Sequence, residues 1–263
     1  EVLSAAETKD WEFSADGKQI QAPNYDGKST PENLKFTFDQ VLVEANQEGL
    51  YKEAASETIR QFTKGFNGTI FAYGMSGTGK TYSMLGPETV VEVIKRGGDI
   101  SEEVQSQYGI IPRAIRDIFV YMNNAIEREE CQFQLLLNYF EIYKESLNDL
   151  LSTNKSIGDN LKFSGNKILN AVTVPVQSPE QIFYYIQHGQ NKVQTESTGM
   201  NERSSRSHTI LILEYLQIFK DGSRKSAKLN LVDLAGSERI GKTGATGKVL
   251  EEAKQINKSL TTL

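Results

Sequence analysis

The spacing of apolar residues changes several times along the chain, and each change marks an element. Before residue 35 the sequence is polar and broken by turn formers, Ala15-Asp16-Gly17, Pro23-Asn24-Tyr25-Asp26-Gly27 and Ser29-Thr30-Pro31, which predicts short strands joined by loops. Residues 36–41 alternate like a strand, and 46–64 recur at helical spacing up to Gly65, predicting one amphipathic helix with a glycine stop. Thr69-Ile70-Phe71-Ala72-Tyr73, bounded by glycine, reads as a buried strand of a parallel sheet. A helix is expected from about Lys80, interrupted over 86–108 by a polar surface loop and resuming over 110–124. Residues 132–143 are strongly apolar, and their in/out phase shifts near Phe140, which calls for a bulge or for burial on both faces. Further strands are predicted at 171–176, 209–218 and 226–234, with helices over 179–194 and 249–263. Strands alternating with helices, and no repeat or linker, predict one α/β domain with a central sheet flanked by helices.

Composition narrows the class. With 263 residues, 38 % hydrophobic and 24 % charged, the chain can bury a substantial core, and no run approaches the roughly 18 apolar residues of a membrane span. The first residues lack the basic and apolar regions of a signal peptide, and the single cysteine, Cys131, cannot close an intramolecular disulfide, so a reducing, intracellular setting is expected. Two histidines and one cysteine make a closed zinc site improbable; a metal here would be held by oxygen. A net charge of -5 argues against a general nucleic-acid binder. The charge is uneven: after residue 238, Arg239, Lys242, Lys248, Lys254 and Lys258 face only Glu251 and Glu252, a net +3 against -8 on the rest. Such a tail suits an acidic partner, although charge alone reads more readily as a solvated helix face.

Three segments carry chemistry. Gly74-Met75-Ser76-Gly77-Thr78-Gly79-Lys80-Thr81 satisfies GxxxxGK[ST] between a predicted strand and a predicted helix. Glycines let backbone amides curl around phosphate oxygens, the helix start adds partial positive charge, Lys80 reaches the terminal phosphates and Thr81 ligates magnesium. Asn201-Glu202-Arg203-Ser204-Ser205-Arg206-Ser207-His208 crowds hydroxyls and guanidinium groups between a helix and a strand. Its hydroxyls can ligate magnesium or position water, yet alone it reads more readily as an exposed linker or phosphorylation target. Asp233-Leu234-Ala235-Gly236-Ser237-Glu238 follows the strand Lys228-Leu229-Asn230-Leu231-Val232, placing an acid where α/β folds bind ligands. A lone DxxG is weak, because many strands end in Asp and Gly for turn reasons.

In this order and spacing the three segments resemble the nucleotide loop and two switch loops of kinesin motor domains. The likeness extends through FTFDQV at 36–41, FNGTIFAYG at 66–74, GIIPRAI at 109–115, YFEIY at 139–143 and EEAKQINKSL at 251–260. It implies a P-loop NTPase fold with a mostly parallel twisted sheet and helices on both faces. It further implies hydrolysis of ATP to ADP and phosphate with Mg2+. By the same resemblance Lys80 would bind the β and γ phosphates, Thr81 and Ser205 would approach magnesium, and Asp233 would hold it through water. Tyr82 would pack on adenine, Ser204 would place the attacking water, Gly236 would sense the γ phosphate, and Arg206 with Glu238 would close the switches. Arg239, Lys242, Lys248, Lys254 and Lys258 become candidate contacts to microtubules, and Asn257 a link between track and nucleotide. No membrane or nucleic-acid partner is implied, and the expected location is the microtubule cytoskeleton.

The resemblance also has departures. Met75 and Ser76 stand where many kinesins have Gln-Thr, and Thr246 replaces a common glutamate. By the resemblance, residues 1–263 are expected to form a single incomplete motor domain, without the family's first core strand and without the rest of the helix that begins near Val249 and the elements that follow it. Two alternatives stay open: a microtubule-binding module that no longer hydrolyses, and a regulatory GTPase. The GTPase is disfavoured because Asn154-Lys155, Asn166-Lys167, Asn191-Lys192 and Asn257-Lys258 all lack the Asp of an NKxD motif.

Overall fold

The computed structural model describes residues 11–23, 34–87, 90, 101–128, 131–143, 146–153, 161–164, 167–195 and 206–237. Within them the order is β1 (Glu12–Phe13), β2 (Gln19–Gln21), β3 (Lys35–Thr37), α1 (Gln47–Ala54), α2 (Ser56–Thr63), β4 (Gly68–Ala72), α3 (Lys80–Leu85), α4 (Glu102–Ser106) and α5 (Ile110–Glu127). It continues with β5 (Cys131–Tyr143), β6 (Ser146–Asp149), β7 (Lys162–Ser164), β8 (Lys167–Leu169), β9 (Val174–Val176), α6 (Pro179–Thr195), β10 (His208–Phe219) and β11 (Arg224–Asp233). The predicted helix over 249–263 lies outside the described residues.

Period-two alternation builds the sheet. On β10, Leu211, Leu213 and Tyr215 are buried while their neighbours are part-exposed, and β11 repeats the pattern with Ala227, Leu229 and Leu231. Register aligns these into rows across the sheet: Ile70, Leu231, Leu211 and Tyr139 in one, and Leu229, Leu213 and Leu137 in the next. Helices cover this face. On α5, Ile111, Ile115, Ile118, Met122 and Ala125 recur at helical spacing and are buried, and Phe62 of α2 meets Tyr215 edge-on at 4.9 Å between ring centroids. Strand order is β4-β11-β10-β5-β6, with β9 also on β5.

Several expectations are corrected. The α/β architecture holds, but among the described residues only β4–β11 pairs in parallel; β10, β5, β6 and β9 pair antiparallel. The Asp221-Gly222 turn joins β10 to β11 directly, which permits only an antiparallel pair. The predicted helix over 46–64 is two helices broken at Ala55 (φ -128°, ψ -37°), where the Ser56 hydroxyl donates back to the Lys52 carbonyl at 2.7 Å. The break lets Tyr51 reach Asp117 on α5 at 2.5 Å while Ile59 and Phe62 turn into the sheet core. The 86–108 segment, expected as loop, contains α4, capped by Ser101 with Glu102 and Glu103 in its first turn. Near Phe140 there is no bulge, because β5 keeps unbroken register with both β10 and β6; burial on both faces is the cause.

Gly189 on α6 shows how closely that helix approaches the sheet. A Cβ there would lie 2.4 Å from the ring of buried Tyr139. Gly189→Ala is therefore expected to destabilise the protein by about 1–3 kcal/mol through overpacking, seen as a lowered thermal midpoint. An unchanged midpoint would show that α6 can lift off Tyr139 freely.

Candidate functional site

Strands β4 and β11 run parallel and end side by side, with Ala72 opposite Asp233, so the loops that leave them share one end of the sheet. The loop after β4 folds around one carbonyl. Met75 C=O accepts from Thr78 Oγ1 at 2.8 Å, Lys80 Nζ at 2.7 Å and, more weakly, Thr78 N–H at 3.4 Å. Gly77 (φ +80°) and Gly79 (φ +84°) supply the left-handed turns that a side chain would oppose. The Met75 side chain is 58 % exposed and takes no part in this contact, so Met in place of Gln leaves the cradle intact.

Thr81, at the start of α3, donates from Oγ1 to Asp233 Oδ2 at 2.5 Å, joining the two loops across 152 residues of sequence. Asp233 Oδ1 is buried with no hydrogen-bond partner. Burial raises the Asp233 pKa above the ordinary carboxylate value, opposed by the Thr81 hydrogen bond and the Lys80 charge. An unsatisfied buried carboxylate oxygen beside a threonine hydroxyl, within reach of a lysine's field, is a donor set suited to a hard cation that takes its remaining ligands from phosphate. Magnesium fits that set. Among the described residues no group of three His, Cys, Asp or Glu side chains forms a separate metal cage.

The segment after β11 is held amide by amide. Leu234 N–H donates to Ala72 C=O at 3.3 Å, Ala235 N–H to His208 Nδ1 at 3.0 Å, and Ser237 N–H to Gly74 C=O at 3.0 Å. Among the described residues the Gly236 N–H, which lies between them, has no acceptor. His208 is buried at the start of β10, and burial lowers its pKa, keeping the imidazole neutral as an acceptor at Nδ1 must be.

Beside the cradle, a cleft of about 490 Å3 is lined by Asn46, Gln47, Gly77, Gly79, Tyr82 and Gln107, among others, a volume in the range of small-molecule sites. Tyr82 is half exposed, and its carbonyl accepts from Gln47 Nε2 at 2.8 Å, which ties α1 to α3.

The structure thus brings together Lys80, Thr81, Asp233 and Gly236 from separate parts of the chain, with Gly74–Tyr82 forming the cradle. Arg206 is described at the approach to β10, but its expected partner Glu238 lies outside the described residues, as do Ser204, Ser205, Asn257, Arg239, Lys242, Lys248, Lys254 and Lys258. Gln47 and the contact made by His208 were not read from the sequence. Each acts on a residue far along the chain, with no local pattern to signal it.

Against known proteins, a profile of the kinesin motor domain matches residues 3–263. Kinesin-related protein 5 of Dictyostelium discoideum is 41% identical over 87% of this chain, and the kinesin heavy chain of Drosophila melanogaster is 39% identical over the same share. This chain spans 22% of the length of each of those relatives. A solved fast kinesin, studied for its ATPase mechanism and interactions with microtubules, superposes with a TM-score of 0.76 at 31% identity, over 94% of this chain and 65% of that one. The motor and motor homology domain of Kar3Vik1 gives a TM-score of 0.73 at 27% identity, over 95% of this chain and 60% of that one.

Proposed function

This chain belongs to the kinesin motor domain family, and on that premise we propose that it binds and hydrolyses ATP and couples the nucleotide state to microtubule binding within a longer motor protein. The observation that carries the proposal is the meeting of Lys80, Thr81, Asp233 and the acceptor-free Gly236 N–H at one end of the sheet. In this reading residues 1–263 belong to one motor domain working on the microtubule cytoskeleton of the cytoplasm.

The cradle amides of 74–79 wrap the phosphates and Lys80 turns from the Met75 carbonyl to the β and γ phosphates. Magnesium, when bound, would supply positive charge that offsets the charge of the phosphates. Thr81 and Ser205 would supply ligand oxygens to the ion, and Asp233 would hold it through water. Tyr82 carries the adenine over the adjoining cleft, and Ser204 orients the water that attacks in line. Arg206 and Glu238 pair to close the switches, and Gly236 reports the γ phosphate through its N–H. Acceleration comes from positioning and electrostatic stabilisation, with no strong side-chain base and no covalent intermediate. Arg239, Lys242, Lys248, Lys254 and Lys258 meet the acidic track, so attachment weakens as salt screens them.

Turnover by the full-length protein, with ATP or GTP and with or without microtubules, tests this reading. ATP hydrolysis strongly stimulated by microtubules, and attachment that falls with ionic strength, are the expected results. Binding that ignores nucleotide, or a preference for GTP, would overturn the proposal.

A further inference from the structure

We propose that His208 is a positioning residue for the phosphate-sensing amide, holding the peptide between Leu234 and Ala235, next to the one that carries the Gly236 N–H, so that this N–H points into the nucleotide site. The inference rests on the nucleotide reading above and adds to it a residue that touches neither nucleotide nor metal.

A backbone N–H turns with its peptide plane, and a glycine has no side chain to hold that plane in place. On one side of Gly236 the peptide of Ser237 is pinned by the Gly74 carbonyl at 3.0 Å. On the other, the peptide of Ala235 is pinned by His208 Nδ1 at 3.0 Å. The unpinned amide between them is that of Gly236, so its direction is set by the two anchors. The Gly74 anchor belongs to the phosphate cradle itself. The His208 anchor comes from the other switch segment, three residues after Ser205 and two after Arg206.

His208 can serve as a fixed point because the sheet fixes it. It is 3 % exposed, it pairs with Ile142 in the β5–β10 ladder, and the next residue, Thr209, stands opposite Asp233. The side chain therefore leaves a rigid strand at the level where β11 ends and its loop begins. Nδ1 accepts, so the ring proton sits on Nε2. Asparagine offers an acceptor near the position of Nδ1, whereas glutamine offers one near Nε2, and phenylalanine keeps the ring but offers none. Any displacement of the β10 end relative to β11 moves the Ala235 peptide with it, which gives the first switch segment a mechanical hold on the second.

In the full-length protein, His208→Phe is expected to lower the preference for a non-hydrolysable ATP analogue over ADP roughly tenfold, the effect of one lost buried hydrogen bond. The turnover number falls by a similar factor while Mg·ADP affinity holds. His208→Asn is expected to stay within about twofold of the unmodified protein, and His208→Gln to follow His208→Phe. Amide exchange at Ala235 reads the contact without any activity, and it should quicken in His208→Phe and His208→Gln alone. If His208→Phe does not fold, the Asn and Gln pair makes the same comparison. Equal loss of ADP and of the ATP analogue, Asn behaving like Gln, or unchanged exchange at Ala235 would overturn the proposal. An unmodified protein that hydrolyses no ATP would instead sink the motor reading, and the exchange measurement would still decide whether His208 holds the loop.

Discussion

Lys80→Ala is expected to lower ATP affinity by roughly ten- to a hundredfold, the worth of charge-assisted hydrogen bonds, and to lower turnover further, by about a thousandfold. The expectation follows from where the ammonium group sits. In the described structure Lys80 Nζ donates to the Met75 carbonyl at 2.7 Å, a carbonyl that also accepts from the Thr78 hydroxyl at 2.8 Å. Lys80 can leave for a phosphate oxygen without stranding that carbonyl, so the cradle exists before the ligand arrives and the lysine is its movable part. Alanine leaves the Gly77 and Gly79 turns in place, and the melting temperature of the nucleotide-free protein should hardly change. Turnover suffers more than binding because the cationic group matters most where negative charge develops in the transition state. Lys80→Arg is not expected to rescue, since a planar fork does not replace a compact ammonium in so tight a loop. Titration with a fluorescent nucleotide and steady-state turnover check both parts; an Ala variant that still binds and hydrolyses ATP normally would remove Lys80 from the site.

The cradle was legible because its chemistry is backbone chemistry: glycines at fixed spacing between an apolar strand and a helix have few other uses. The α5 helix and the β10 and β11 strands were legible for a related reason, since each buries one face against a continuous core and keeps its period throughout. What the pattern could not carry was anything decided at a distance. The break at Ala55 depends on Tyr51 and Phe62 having different targets, on α5 and on the sheet. Strand direction is silent in side-chain period, and the Asp221-Gly222 turn that makes β10 and β11 a hairpin was not read from the sequence. His208 stood in a recognised segment, but its partner is the Ala235 amide, 27 residues away, and no spacing rule links an imidazole to a backbone N–H.

Asp233→Asn should act in opposite directions on stability and on function. Burial raises the pKa of this carboxyl group, with Thr81 and Lys80 only partly opposing the shift. A folded-state pKa above the unfolded value means that the folded chain binds the proton more tightly. The side chain's stabilising contribution is therefore full below the ordinary carboxylate range and is lost as pH rises through the folded-state pKa. At neutral pH the ionised group weighs against folding of the nucleotide-free protein, and Oδ1, buried without a partner, is where that cost resides. Asparagine keeps the shape and removes the charge, so the variant should melt higher than the unmodified protein at neutral pH, with the gap closing as pH is lowered. Adding Mg·ADP should reverse the order, because the cation repays the carboxylate and not the amide. Turnover should fall by about a hundredfold or more and need far more magnesium. The reversal is the decisive reading. A variant that melts lower with and without nucleotide would mean that Asp233 is a structural partner of Thr81 alone, and one with an unaltered magnesium requirement would take the ion elsewhere.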